Sequence, residues 1–101
     1  MPTFRDVDPG DLRLSPGRQD GAVASRYHKQ VKDYGAGMTG MPPIEVTEGR
    51  DGLLMINNGV TRATRIHYLA PGQSVTVEVI EVKPKANFSR LLRVGDVAPP
   101  K

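Results

Sequence analysis

The sequence has no cysteine and no tryptophan, and its aromatic residues are three Tyr and two Phe. The absence of Cys excludes disulfide bonds, thiolate metal sites and cysteine nucleophiles. Only two histidines are present, His28 and His67, which excludes a His-rich metal site and leaves neither with an evident acid–base partner in the sequence. The core must therefore be built from Val, Ile, Leu and Met, and any chemistry must come from other residue types.

Long apolar runs are also missing. No segment approaches the roughly 18 to 20 residues of a membrane-spanning helix, and Met1 to Arg5 do not form a signal peptide. We therefore expect a soluble, unprocessed, cytoplasmic protein with no membrane partner. A length of 101 residues predicts one domain, with residues 1–93 folded and residues 94–101 forming a flexible C-terminal tail.

Positive charge is concentrated near the C-terminus. The net charge is +3, and residues 83–101 contain five basic residues and one acidic residue, Asp96. Such a segment attracts nucleic acid or an acidic protein by charge alone. The segment is also consistent with a solvated basic surface that aids solubility, which is the more common case, so both interpretations stay open.

Alternating apolar residues predict strands, and turn residues separate them. Asp8-Pro9-Gly10 predicts a turn, residues 48–52 predict the turn of a β-hairpin, and Pro84 predicts the end of the most regular strand. The predicted strands are Phe4–Val7, Leu12–Leu14, Ile44–Thr47, Leu53–Ile56 and Ser74–Val82.

Helical spacing appears in three places. The first helix is predicted to begin at Asp20 as its N-cap, and Val23, Tyr27, Val31 and Tyr34 form its apolar stripe, with Arg26, Lys29 and Lys32 facing away. The second is predicted over Val60 to Leu69, and a short terminal helix is predicted after Asn87, on Phe88, Leu91 and Leu92. Helices alternating with a hairpin and a long strand predict a small α+β domain.

The segment Leu53 to Arg65 carries the strongest functional signal. An apolar strand runs through Asn57-Asn58-Gly59 directly into the second helix. A helix that follows a glycine turn has several unpaired N–H groups at the positive end of its dipole, which favours phosphate or another anion. Arg62 and Arg65 lie in the first turns of this helix, so we predict an anion site here.

Four segments resemble the ParB N-terminal/sulfiredoxin-like superfamily. They are Pro43 to Val46 (P-I-x-V), Gly52 to Ile56, Asn58 to Ala63 (N-G-x-x-R) and Val75 to Val79. The similarity extends over roughly residues 4–82. The resemblance implies a mixed sheet with two main helices and a site for nucleotide phosphates, with a nucleoside triphosphate as the possible ligand.

The resemblance also implies roles for individual residues. Gly59 would let the backbone approach the phosphates, and the N–H groups of Val60, Thr61 and Arg62 would surround them. The Arg62 guanidinium would pair with phosphate oxygens, and the Thr61 hydroxyl would add a donor. Asn58 belongs to the same turn, and Arg18 matches, loosely, the position of a second phosphate contact.

The departures from the family pattern argue against catalysis. Val60 stands where sulfiredoxin-like members have a catalytic Cys, which excludes that activity. Val60 and Thr61 also replace the Glu and the first Arg of the ParB-type motif, and Asn58 stands where some relatives have an acid. A neutral amide cannot act as a base, so we expect binding without nucleotide hydrolysis.

The sequence is compatible with three classes of function. They are a non-catalytic nucleotide- or phosphate-binding module, a minimal nuclease- or kinase-like effector, and an interaction domain that uses its basic C-terminal segment. The second class would rely on carboxylates near the hairpin turn, such as Asp51, Glu48 or Glu45. Two residues of the predicted site also have a purely structural interpretation. Gly59 would supply only the positive φ of a turn, and Arg62 would be a solvent-facing helix residue that pairs with Glu45 or Glu48.

Overall fold

The computed structural model describes residues 2–37 and 40–101 and consists of a four-stranded mixed sheet and two α-helices. Short 3-10 turns occupy Pro9–Asp11, Pro16–Arg18 and Val94–Asp96. The α+β class, the mixed sheet and the two main helices are confirmed. In chain order the elements are β1 (Thr3–Val7), α1 (Ala24–Tyr34), β2 (Ile44–Gly49), β3 (Leu54–Asn58), α2 (Val60–Leu69) and β4 (Val75–Lys83).

The sheet has the strand order β1-β4-β2-β3. β4 lies in the interior of the sheet, antiparallel to β1 and parallel to β2, and β2 and β3 form the predicted hairpin. The alternating valines of β4 explain this position, because Val75 and Val77 are buried on the face that packs against the rest of the core. The predictions for β4, the hairpin and α2 are confirmed.

The hydrophobic core lies between one face of the sheet and α2. It also receives side chains from the segment after β1 and from the C-terminal segment. Its buried residues are Leu12, Leu14, Ile44, Val46, Leu54, Ile56, Val60, Ala63, Ile66, Val75, Val77 and Val94. α1 packs against α2 and has one buried residue, Tyr27. The core therefore fixes α2 firmly and leaves α1 on the outside of the domain.

The start of α1 differs from the prediction. Asp20 is not the N-cap; the helix begins at Ala24 with Val23 in the cap position. Gly21 has a φ of +88°, a left-handed conformation that a right-handed helix beginning at Asp20 could not pass through. The predicted stripe is only partly buried, since Val23 and Tyr34 are 44 % and 45 % exposed.

The predicted terminal helix is absent, because other segments bind the backbone groups that it would need. The N–H of Phe88 donates to Asp51 Oδ2 at 2.8 Å, and the N–H of Leu92 donates to Gln19 Oε1 at 3.0 Å. Arg13 Nη1 donates to the carbonyl of Leu91 at 2.8 Å. These long-range bonds hold the chain in turns.

Residues 94–97 are packed onto the domain, although the sequence predicts a flexible tail over residues 94–101. Val94 is 2 % exposed, and its N–H donates to the carbonyl of Leu12 at 2.9 Å. Val97 packs against the core, and its carbonyl accepts a hydrogen bond from the Tyr68 hydroxyl.

Deleting residues 94–101 is therefore expected to destabilise the domain. Burial of one valine contributes about 1.5 to 3 kcal/mol, and lost hydrogen bonds add about 1 kcal/mol each. We expect a fall of roughly 10 to 25 °C in melting temperature, measured by circular dichroism. Deletion of residues 98–101 alone is the control and should change the melting temperature little. Equal melting of the parent and both deletions would contradict the packing.

None of the helices in residues 2–37 and 40–101 is long and apolar enough to cross a membrane.

Candidate functional site

A pocket of about 170 Å³ lies at the N-terminus of α2. The end of β3 and the first turn of α2 form one side of it, through the continuous segment of residues 56–62. Ser15 and Arg18 from the segment before α1, and Arg26 and Gln30 from α1, form the other side. The structure thus brings the predicted residues Asn58, Gly59, Val60, Thr61, Arg62 and Arg18 to one pocket.

Gly59 is required by the backbone at this turn. It is the N-cap residue of α2 with a φ of +117°, where residues with side chains are strained. A Cβ atom at this position would also lie 3.0 Å from Cγ1 of the buried Ile44. The glycine therefore lets β3 turn directly into α2 against the core.

The first N–H groups of α2 lie at this pocket. The first intrahelical bond runs from the N–H of Ala63 to the carbonyl of Gly59 at 2.9 Å. By helix geometry, the N–H groups of residues 60–62 have no intrahelical acceptor. They form the positive end of a ten-residue helix, which favours a bound anion.

The Arg62 side chain is buried at the pocket, with only 7 % of the residue exposed. Its Nη1 donates to the carbonyl of Pro42, while its buried Nε has no hydrogen-bond partner among the described residues. Burial lowers the pKa of Arg62, and the negative charge of Glu45 opposes that shift. Because the guanidinium is buried, the alternative of a solvent-facing Arg62 is wrong; Glu48 pairs with Arg5 instead, at 2.9 Å.

Arg26 and Gln30 are pocket residues that the sequence did not identify. The pattern of α1 placed Arg26 opposite the apolar stripe, and in the fold that side of the helix reaches the pocket. Arg26 and Gln30 are four residues apart, so they share one face of the helix. This spacing is the one feature of the sequence that relates the two residues. It does not by itself place them at the pocket, because their position depends on how α1 packs against α2.

Arg65 does not contribute to the pocket, contrary to the prediction. It is fully buried and donates hydrogen bonds to the carbonyls of Gly35 and Gly37 at 2.7 and 2.6 Å. Burial and the positive charge of Arg62 lower its pKa, while Tyr34 and Tyr27 oppose the shift. Arg65 therefore holds the end of α1 against α2.

The pocket is strongly positive. Arg18, Arg26 and Arg62 supply three guanidinium groups, and no acidic residue is among the described residues that line it. Hydroxyl and amide groups of Ser15, Thr61, Gln30, Asn57 and Asn58 complete the polar lining. Such a set of donors is able to hold an anion, but it includes no group that would act as a general base at neutral pH.

The carboxylates near the hairpin do not converge on this pocket. Asp51 accepts hydrogen bonds from the N–H groups of Leu53 and Phe88, and Glu48 pairs with Arg5. Within the described part of the chain, no group of three or more His, Asp or Glu residues is placed to bind a metal ion. Asp51 and Glu48 therefore have structural partners within the domain.

The two histidines also have contacts within the domain. His67 lies between Gly10 and Gly95, and its Nδ1 is 3.9 Å from Oδ1 of Asp8. His28 Nε2 is 2.7 Å from the carbonyl oxygen of Lys101. Neither residue lines the pocket at α2.

Part of the basic C-terminal segment is neutralised within the domain. Arg93 pairs with Asp96 at 2.9 Å and lies 3.5 Å from Asp11, and Lys83 lies 3.9 Å from Glu81. The charge available to a polyanion from this segment is therefore smaller than the count of basic residues indicates.

Comparison with protein-family models, with curated proteins and with solved structures gives no match to this chain.

Proposed function

We propose that this chain is a ParB/sulfiredoxin-like domain that binds the phosphate groups of a ligand at the Gly59–Arg62 turn and does not hydrolyse them. The observation that carries the proposal is the pocket at the N-terminus of α2, where Arg18, Arg26 and Arg62 meet and no described lining residue is acidic. The motif resemblance points to the same turn of the chain.

The unpaired charge of Arg62 strengthens the case for an anion. A buried charge is costly unless it is paired, and neither Arg62 nor Arg65 takes part in any ion pair among the described residues. A phosphate group at the pocket would accept hydrogen bonds from the first N–H groups of α2 and would supply the negative charge that Arg62 lacks. The phosphate would also offset the repulsion between the guanidinium groups of Arg62 and Arg65.

The pocket size favours phosphate groups over a whole nucleotide. Pockets for drug-sized ligands occupy about 300 to 1,000 Å³, whereas this one occupies about 170 Å³. The enclosed part of the ligand is therefore its phosphate end. No described residue that lines the pocket carries a carboxylate, which supports binding without nucleotide turnover in Mg²⁺.

The test is a thermal-shift titration with phosphate, pyrophosphate, ATP and CTP, each with and without Mg²⁺. A ligand at one hundred times its Kd stabilises a protein by about 2.7 kcal/mol, so millimolar concentrations would reveal weak binding. We expect stabilisation by pyrophosphate and by the nucleotides. The proposal fails if none of the four ligands raises the melting temperature.

Arg18→Ala and Arg26→Ala are the sharpest variants, because Arg62 is itself buried and its replacement would also cost stability. A charge-assisted hydrogen bond contributes about 1.5 to 3 kcal/mol, so each variant should weaken pyrophosphate binding by about tenfold or more. Arg50→Ala is the matched control. It removes the same charge from the hairpin turn, at the other end of β2 and β3. Equal affinity in all three variants would contradict the assigned pocket.

A further inference from the structure

A second groove adjoins the phosphate pocket along α1. Its volume is about 260 Å³, and it is lined by Arg26, Lys29, Gln30, Asp33, Tyr34 and Met41. Arg26 and Gln30 line both cavities, so they form the wall between them. Together the two cavities reach the size range of sites for nucleotide-sized ligands.

The two cavities differ in chemical character. The first carries three guanidiniums and no acid among its described lining residues. The groove contains an aromatic ring and a thioether, and the one acid among its described lining residues, Asp33, is paired with Lys29 at 3.1 Å. A ligand with an anionic end and a planar, uncharged end would fit both cavities, with the anionic end in the phosphate pocket and the planar end in the groove.

Residues of α1 connect the two cavities. Arg26, Gln30 and Tyr34 follow one another at intervals of four residues and share one face of the helix. At 1.5 Å per residue this row is about 12 Å long. It leads from the phosphate pocket at Arg26 to the aromatic ring at Tyr34.

Arg65 holds three of the residues that line the groove. Its Nε donates to Oε1 of Gln30 at 3.4 Å, and its Nη2 lies 3.2 Å from Sδ of Met41. Its guanidinium lies over the Tyr34 ring, 5.5 Å from the ring centroid, a favourable cation–π arrangement. The groove is thus organised by a fully buried side chain.

These contacts also set what the groove offers to a ligand. Because Arg65 Nε needs an acceptor, the Gln30 oxygen faces Arg65, which leaves the Gln30 NH₂ group free to donate toward the cavities. Tyr34 remains 45 % exposed although Arg65 covers one face of its ring. The ring is therefore available for stacking by a planar group.

We infer that this groove is the subsite for the base of a nucleotide whose phosphates occupy the pocket at α2, with Tyr34 as the stacking residue and Arg65 as a positioning residue. The inference rests on the proposed function, since the phosphates place the base. Met41 and Tyr34 supply apolar contact, and the Gln30 amide donates at the junction of base and phosphate.

The experiment compares pyrophosphate, which has no base, with ADP, CDP, GDP and UDP by isothermal titration calorimetry on the full chain. At least one diphosphate should bind more tightly than pyrophosphate. Stacking of a base on an aromatic side chain is lost on alanine substitution at a cost of about 5- to 150-fold in affinity. Tyr34→Ala should therefore weaken the best nucleotide by about tenfold or more and leave pyrophosphate within twofold of the parent.

Two control variants separate stacking from structural effects. Tyr34→Phe keeps the ring and should retain nucleotide affinity, and Val23→Ala removes a similarly exposed apolar side chain from the other end of α1. If pyrophosphate binds as tightly as every nucleotide, or if Tyr34→Ala weakens both ligands equally, the base subsite is wrong while the phosphate site stands. If neither pyrophosphate nor any nucleotide binds, both proposals are wrong.

Discussion

Val77→Asp is expected to abolish the folded state. Val77 is fully buried in β4, in the interior of the sheet, and its neighbour across the sheet in β2 is Ile44, also fully buried. A carboxylate without a partner at such a position costs several kcal/mol, a large part of the about 5 to 15 kcal/mol that stabilises a typical domain. We expect circular dichroism to show no cooperative melting transition at 25 °C or above.

Val82→Asp is the matched control for this substitution. It introduces the same carboxylate into the same strand, at a residue that is 59 % exposed. Its melting temperature should stay close to that of the parent, because surface substitutions usually change stability by less than about 0.5 kcal/mol. If Val77→Asp melts like Val82→Asp, the register of β4 is wrong.

Arg65→Ala is expected to cause the second largest loss of stability. The substitution removes a fully buried side chain and every hydrogen bond that it donates to Gln30, Gly35 and Gly37. Large-to-small replacements of buried side chains cost about 2 to 5 kcal/mol, so the melting temperature should fall by roughly 10 to 25 °C. The melting temperature of Arg65→Lys should lie between those of the parent and Arg65→Ala, because a single ammonium group cannot reproduce the planar set of donors of a guanidinium.

Arg26→Ala is the control for Arg65→Ala, since it removes the same side chain from an exposed position of α1. Its melting temperature should match that of the parent in the absence of ligand. An Arg65→Ala variant as stable as Arg26→Ala would show that Arg65 does not hold α1 in place.

Strong local patterns made much of the fold predictable. The alternation of Val75, Val77 and Val79 identified β4, and the Asn57-Asn58-Gly59 turn located the start of α2 at the correct residue. The start of α1 was missed because a single glycine, Gly21, adopts a positive φ that no side-chain pattern reveals. The C-terminal segment was missed because its bonds reach distant residues such as Leu12.

The residues of the candidate site also fall into those that the sequence predicts and those that depend on tertiary packing. Residues 58–62 are contiguous, so one motif identified them, whereas Arg26 and Gln30 reach the pocket only through the packing of α1 on α2. Arg65 counted as support for the anion site because it lies in the first turns of α2 with Arg62. In the fold its side chain is fully buried against the end of α1, where it donates hydrogen bonds to the carbonyl groups of Gly35 and Gly37.

The position of β4 governs the order in which the chain is able to fold. β4 is the last strand to be synthesised, yet both β1 and β2 pair with it, and the contact of Thr3 with Val79 spans most of the chain. Helices and the β2–β3 hairpin form from local contacts, but long-range strand pairing is slow. Until β4 leaves the ribosome, β1 has no partner and one edge of β2 is open, and open edges promote association between chains. The sheet is therefore completed only after β4 has been synthesised and pairs with both β1 and β2.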